Sequence, residues 1–355
     1  MVKLLIKNGR IWDGERFFFG DILTCGKKVV KIGSGIEADA TYEYDAAGKT
    51  VSAGLVDLHV HTRIRPTDTL GIQPEMGCFP FGVTAAAEAG RTFCEPVLLD
   101  AMMLKNVVFV AANICGNRAE LESLEKAIAG FGSRAAGIKV YFDTTAAEVS
   151  DITPLKQICD FARERHLPVM VHCSQSPTPM QEILNTLTKG DILTHAFHGG
   201  MHNAAEDGFA ALCEAQKRGI VIDTGFAGNV HTDFSVLRGA FETGILPDTI
   251  STDITQYSGY MRGGRYGMTM CMNMARYLGM GETEIFRAVT KTPAGVLRRE
   301  DSWGILKEGG TADIAVLADT DEGFSITDRA GNHIESQTGY RCVLTVVDGQ
   351  MVYRN

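Results

Sequence analysis

Residues 54–66 read GLVDLHVHTRIRP. In an extended strand, residues two apart share a face. On that rule Asp57, His59 and His61 point one way, and Val56, Leu58 and Val60 point the other, packed under helices. Such a polar face is either wet or a site. Two core histidines, each satisfied by a carbonyl, would explain the pattern as well, so the rest of the chain has to decide.

Apolar runs of strand length recur along the chain: 54–61, 82–90, 107–113, 136–143, 167–174, 191–197, 219–225 and 248–254. Helical spacing separates them. DITPLKQICDFARERH, from Asp151, offers Asp151 or Thr153 as a cap, Pro154 near the first turn and a basic last turn. NAAEDGFAALCEAQKRG closes on Gly219 as a stop signal. Strand alternating with helix eight times predicts an α/β fold of the (β/α)8 TIM barrel type. A doubly wound sheet competes, but no Gly-x-Gly-x-x-Gly follows the first run.

Both ends of the chain read differently. LLIKNGRIWDGERFFFGDILTC, from Leu4, alternates around Asn-Gly and Asp-Gly turns, and CVLTVVDGQMVYRN, from Cys342, repeats that style with a tight turn at Asp348-Gly349. The expectation is a small flanking β-sandwich domain built from both termini. Residues 1–52 and 305–355 supply it, and 53–304 form the barrel.

With 355 residues, 45% of them hydrophobic and 22% charged, the composition is that of a soluble globular protein. A net charge of -9 argues against a nucleic-acid partner or a polybasic membrane anchor. No apolar run approaches the roughly 20 residues of a membrane span, and the N-terminus is too soon interrupted for a signal peptide. Nine scattered cysteines without a Cys-x-x-Cys pair suit reduced thiols in a cytoplasmic protein and argue against a thiolate zinc site. Oligomeric state is open, with a homo-oligomer compatible.

Barrel enzymes carry their chemistry at the C-terminal ends of the strands. Those ends hold His59 and His61 on strand 1, Lys139 on strand 4, His172 on strand 5, His195 on strand 6 and Asp253 on strand 8. Four imidazoles and a carboxylate on one rim suit a divalent metal; zinc is the first expectation, with iron, manganese and nickel open. Few other residues of these strands ionise, Glu88, Asp143 and Asp223 being exceptions.

This pattern resembles the amidohydrolase superfamily of metal-dependent hydrolases. GLVDLHVH is similar to its strand-1 signature, and GILKEGGTADIAVL, from Gly304, to the return into its small β domain. DILTHAFHG, GILPDTISTD and AVTKTPAGVL, from Asp191, Gly244 and Ala288, resemble its deacetylase and dihydroorotase-like group. The resemblance implies two divalent metal ions. His59, His61 and Asp253 would hold one, and His172 and His195 the other. Lys139, carboxylated by carbon dioxide, would bridge them, because an ammonium facing two cations would be repelled. Without the resemblance, Lys139 reads first as a barrel lysine paired with a neighbouring acid such as Asp57 or Glu88. The implied chemistry is attack of a bridging hydroxide on an amide or ester carbonyl, with Asp253 as the catalytic proton carrier. The implied substrate is a small carboxylate-bearing molecule that loses an acyl group. A cyclic amidase opening a dihydroorotate- or hydantoin-like ring is the alternative. A single-metal deaminase is disfavoured, since VMVHCSQS lacks the strand-5 glutamate of that branch. A silent scaffold would have lost ligands, and none of the six is missing.

Substrate contacts are less defined. Arg63, two residues past His61, is similar to the dihydroorotase arginine that clamps a carboxylate, with Arg65 as its rival. Arg262 and Arg265, in the Gly-rich loop after strand 8, add a second anion contact or belong to a solvated loop. His198 could donate to substrate from the loop after strand 6, and Tyr141 could donate to an oxyanion or simply fill the barrel. TGFAGNVHTDF, from Thr224, departs from the Gly-His-Gly with Ser-Phe of the group and carries Gly228, Asn229 and His231 instead.

Overall fold

The computed structural model describes residues 1–63, 68–92, 96–260 and 265–355. Seven parallel strands form one sheet in sequential order: Leu55–Val60, Val83–Arg91, Lys105–Ala112, Ala135–Tyr141, Val169–His172, Ile192–Thr194 and Val221–Ile222. The eighth run does not form a strand. Its residues make isolated parallel bridges instead, Thr249 with Asp223 and Ile254 with Val60. The sheet is therefore curled, and this irregular segment joins its two edges.

Parallel strands covered on one face and filled on the other read as continuous apolar runs, which is why the sequence shows them so clearly. On the outer face Val108, Val110, Ile138, Val140 and Val171 pack with the helix residues Leu155, Ile158, Ile183 and Leu212. The lumen is filled by Ala85, Ala87 and Ala89, by Val107 and Phe109, and by Met170 and Ile192, with Ala294, Leu297 and Trp303 in the same cluster. Gly137 leaves the room that Phe109 fills, because a Cβ there would lie 2.4 Å from the ring.

Simple alternation fails in the first strand. Val56 and Leu58 belong to the lumen cluster, and the register with the second strand shifts between Asp57 and Val60. Asp57 does not join the histidines. Its carboxylate accepts from the Thr252 backbone N–H (3.1 Å) and hydroxyl (2.7 Å), and so pins the segment that carries Asp253.

Both termini enter one connected eight-stranded sheet. Its path runs Gln350–Arg354, Gly339–Val347, Ile314–Thr320, Lys49–Ala53, Lys3–Trp12, Phe17–Cys25 and Lys28–Gly33, with Tyr42–Asp45 alongside Lys3–Trp12. Asp348-Gly349 is the tight turn expected, with φ of 48° and 76°. Asn8-Gly9 is not a turn: it lies inside the first strand, where the register with Phe17–Cys25 shifts. The helix expected from Asp151 runs Thr153–Glu164. The one expected before Gly219 is shorter, Ala210–Lys217, and a 3-10 turn at Ala204–Asp207 precedes it. Among the described residues no helix is long and apolar enough to cross a membrane.

Candidate metal centre

His59, His61, Lys139, His172, His195 and Asp253 come from five separate parts of the chain and meet at one end of the lumen. His59 Nε2 lies 3.2 Å from Lys139 Nζ and 3.2 Å from Asp253 Oδ1, and His61 Nε2 lies 2.9 Å from the same oxygen. The other carboxylate oxygen, Oδ2, faces His195 Nε2 at 3.9 Å. The His172 and His195 rings are 4.6 Å apart. Among the described residues, two groups have the spacing of metal ligands: His59, His61 and Asp253, and His172, His195 and His231.

Two of these residues adopt left-handed backbone. His195 has φ of 55° and Asp253 of 50°. Such conformations cost on the order of 1 kcal/mol and persist where surroundings enforce them. For Asp253 the enforcement is visible: its N–H donates to His59 O (2.7 Å), locking the carboxylate beside the strand-1 histidines. His195 is held by Gly225, whose carbonyl accepts from its Nδ1 at 2.6 Å. A Cβ on Gly225 would come within 2.4 Å of Thr194 Oγ1 and 2.6 Å of His195 Nδ1, so only glycine fits this approach.

Outer partners fix the imidazoles. Metal-bound histidines commonly donate their second N–H to a carboxylate or carbonyl, which sets the tautomer and aims the lone pair inward. His59 Nδ1 contacts Thr194 Oγ1 (2.9 Å), which donates to Asp223 (2.8 Å). Asp223 also accepts from Thr249 and Ser251, tying together the segments on either side of the seventh strand. His172 Nε2 pairs with Asp143 Oδ2 at 3.0 Å. His61 Nδ1 faces Glu88 Oε1 at 3.6 Å, too far for a hydrogen bond. Glu88 is itself anchored by Thr62 and Arg91.

The electrostatics follow from burial. Burial pushes His59 and His195 well below the ordinary imidazole range, with Lys139 and the neighbouring rings adding to the shift. Neutral imidazoles are the metal-binding form. Burial also lowers Lys139, to about 8. Burial disfavours the Asp253 anion, yet His59 and His61 outweigh it and hold the carboxyl well below its usual range. Asp143 behaves alike: burial raises it, and the bonds from His172 and Thr145 more than compensate.

A buried polar atom without a partner is costly. Among the described residues, His61 Nδ1 and His195 Nε2 are two of the few such atoms, and His195 Nε2 is the one turned toward Asp253. A cation between them would satisfy it. The donor set, imidazoles with one carboxylate and no thiolate, suits a borderline divalent ion.

The expected substrate contacts fare variously. Tyr141 pairs in register with His172, its ring 5.7 Å away, and donates to Ala89 O (3.3 Å). His198 is fully buried, accepts from Gly200 N–H (3.1 Å) and lies 3.8 Å from Cys173 Sγ. Burial lowers it to about 4. Arg63 follows His61 and its N–H donates to Ile72 O (2.9 Å). Arg265 is exposed and lines a cavity with Phe81, Phe324 and Tyr340. Arg65 and Arg262 lie outside the described residues.

His231 is the residue that sequence reasoning passed over as a site member. Its ring is 4.1 Å from His195 and 4.8 Å from His172, its Nδ1 contacts Ser174 Oγ (2.8 Å), and its Nε2 faces Asp253 Oδ2 at 3.9 Å. The signal was the lone histidine in the loop after the seventh strand.

Comparisons agree with this architecture. An amidohydrolase family model matches residues 248–353. A deacetylase of Enterococcus faecalis is 30% identical over 377 residues, covering 99% of each chain. An adenine deaminase structure superposes with a TM-score of 0.87 at 26% identity, covering 100% of both chains. A dihydroorotase structure gives 0.86 at 24% identity, over 100% of this chain and 98% of that one.

Proposed function

The chain belongs to the amidohydrolase superfamily of metal-dependent enzymes acting on carbon–nitrogen bonds, and from that premise we propose that it is a two-metal deacylase. The substrate is a small carboxylate-bearing molecule that loses an acyl group from nitrogen or oxygen. We read the curled sheet and its closing segment as a (β/α)8 barrel spanning 53–304, and the terminal sheet as its flanking sandwich.

The observation that carries the reading is the position of Asp253. One carboxylate oxygen contacts His59 and His61, and the other faces His195. A single side chain thus reaches both ligand groups. His59, His61 and Asp253 would hold one ion, His172 and His195 the other, and Lys139 would bridge them as its carbamate. Bound ions would polarise the substrate carbonyl and lower the pKa of water from about 16 towards neutrality.

Lys139 is suited to carboxylation because burial brings its amine to about 8. The neutral amine adds to carbon dioxide, forms an N–C bond and loses one proton. A buried cation becomes an anion with two oxygens. Asp253 takes a proton from the attacking water on its Oδ2 side and returns it to the leaving nitrogen or oxygen. Arg63 is our candidate for the substrate carboxylate, with Tyr141 lining the approach to His172. The relative's name, deacetylase, favours acyl release over ring opening.

The test is metal analysis of the purified protein with a panel of N-acetyl and N-formyl amino acids, acetylated hydroxy acids and cyclic imides. Two ions per chain with acyl release is the expected result. Ring opening of an imide would replace the deacylase reading with a cyclic amidase. One ion per chain with ammonia release would replace it with a deaminase.

A further inference from the structure

The second ligand group contains one imidazole more than the reading above uses. His172 comes from the fifth strand, His195 from the end of the sixth, and His231 from the loop after the seventh. His172 meets the other two rings edge-on, at 78° and 89°, while His195 and His231 are tilted at 38° with centroids 4.1 Å apart. Each has one nitrogen engaged outward. The Asp143 carboxylate can only accept from His172 Nε2, and the Gly225 carbonyl can only accept from His195 Nδ1. This leaves His172 Nδ1 and His195 Nε2 as lone pairs facing inward. In His231, Nδ1 contacts Ser174 Oγ, a hydroxyl that can donate or accept, and Nε2 turns to Asp253 Oδ2, the same oxygen that faces His195. Among the described residues His195 Nε2 is buried without a hydrogen-bond partner.

We propose that His231 is a third imidazole ligand of the second metal ion, beside His172 and His195. The inference rests on the two-ion reading and adds a ligand to it. With the Lys139 carbamate of that reading, three imidazoles would give this ion four protein donors, and a substrate oxygen would enter as a fifth. The three imidazoles are neutral, so the Lys139 carbamate would be the sole anionic donor to this ion, whereas the first ion would also have Asp253.

The test uses the full-length protein stripped of metal and titrated with zinc or cobalt(II). In His231→Ala, one of the two ions should bind about 100-fold more weakly or worse, a loss at least as large as that from removing a ligand's outer partner. Circular dichroism should show the same fold as wild type. His231→Cys separates a ligand from a structural residue: loaded with cobalt(II), it should show a thiolate-to-cobalt charge-transfer band in the near ultraviolet. Full cobalt binding by His231→Cys without that band overturns the proposal and leaves His231 facing the substrate alone. Unchanged binding of both ions by His231→Ala overturns it too. Should the wild type hold a single ion, the two-ion reading fails, and the cysteine band still reports whether that ion sits on residue 231.

Discussion

Below Lys139 the lumen is filled by Val56, Ala87, Phe109, Met170 and Ile192, with Leu297 and Trp303 in the same cluster. Above it stand His59, His61, His172, His195, His231 and Asp253. Met170 is the hinge between the two regions, for it belongs to the apolar cluster and its Sδ lies 3.5 Å from Lys139 Nζ. The contrast teaches how one cylinder divides its work. The apolar floor excludes water and supplies packing. The polar mouth gives up packing for buried imidazoles, of which His59 and His195 are held neutral by desolvation.

That division can be broken by experiment. The largest effect is expected at the mouth. Asp253→Asn keeps a ligand oxygen but loses the proton carrier, so kcat should fall by about 10²–10⁴ while thermal stability changes little. A steady-state assay beside a melting curve checks both, and a variant of near-normal kcat would remove Asp253 from the chemistry. The floor should give the opposite result. Trp303, 8% exposed, is a large side chain of the apolar cluster, and Trp303→Ala should cost about 3–5 kcal/mol of stability. Denaturant unfolding measures this, and the folded fraction should retain its turnover. A loss of turnover equal to that of Asp253→Asn would erase the distinction between floor and mouth. The smallest effect sharpens the picture within the mouth. Glu88 stands behind His61 and is held by Thr62 and Arg91. Because Glu88 lies beyond hydrogen-bond distance of His61, Glu88→Gln should weaken the ion at His59 and His61 by no more than about 10-fold, leaving the ion at His172 and His195 untouched, as isothermal titration would resolve.

The six residues that meet at the mouth were legible because each sits near the end of an apolar run, and chemistry in a barrel gathers there. Their outer partners were not. Asp143, Asp223 and Glu88 stood out as ionisable residues in apolar strands, but nothing in their spacing told which histidine each would hold. Asp57 was misread for a related reason. Period two assumes an unbroken strand, and the register shift beside it turned its carboxylate to Thr252. Asn8-Gly9 shows the same limit, a turn signal used as an irregularity inside a strand.

By itself, then, the sequence determined the alternation of strand and helix, the family, and the rim on which the imidazoles collect. These follow from local periodicity and from residue types at strand ends, which neighbouring residues alone can set. The tertiary structure decided that the eighth run bridges both sheet edges without forming a strand, that Asp253 reaches both ligand groups, that His198 turns into the core, and that His231 enters the site. Each of these depends on where a loop lands after the sheet has curled, a long-range outcome of packing that no local pattern encodes.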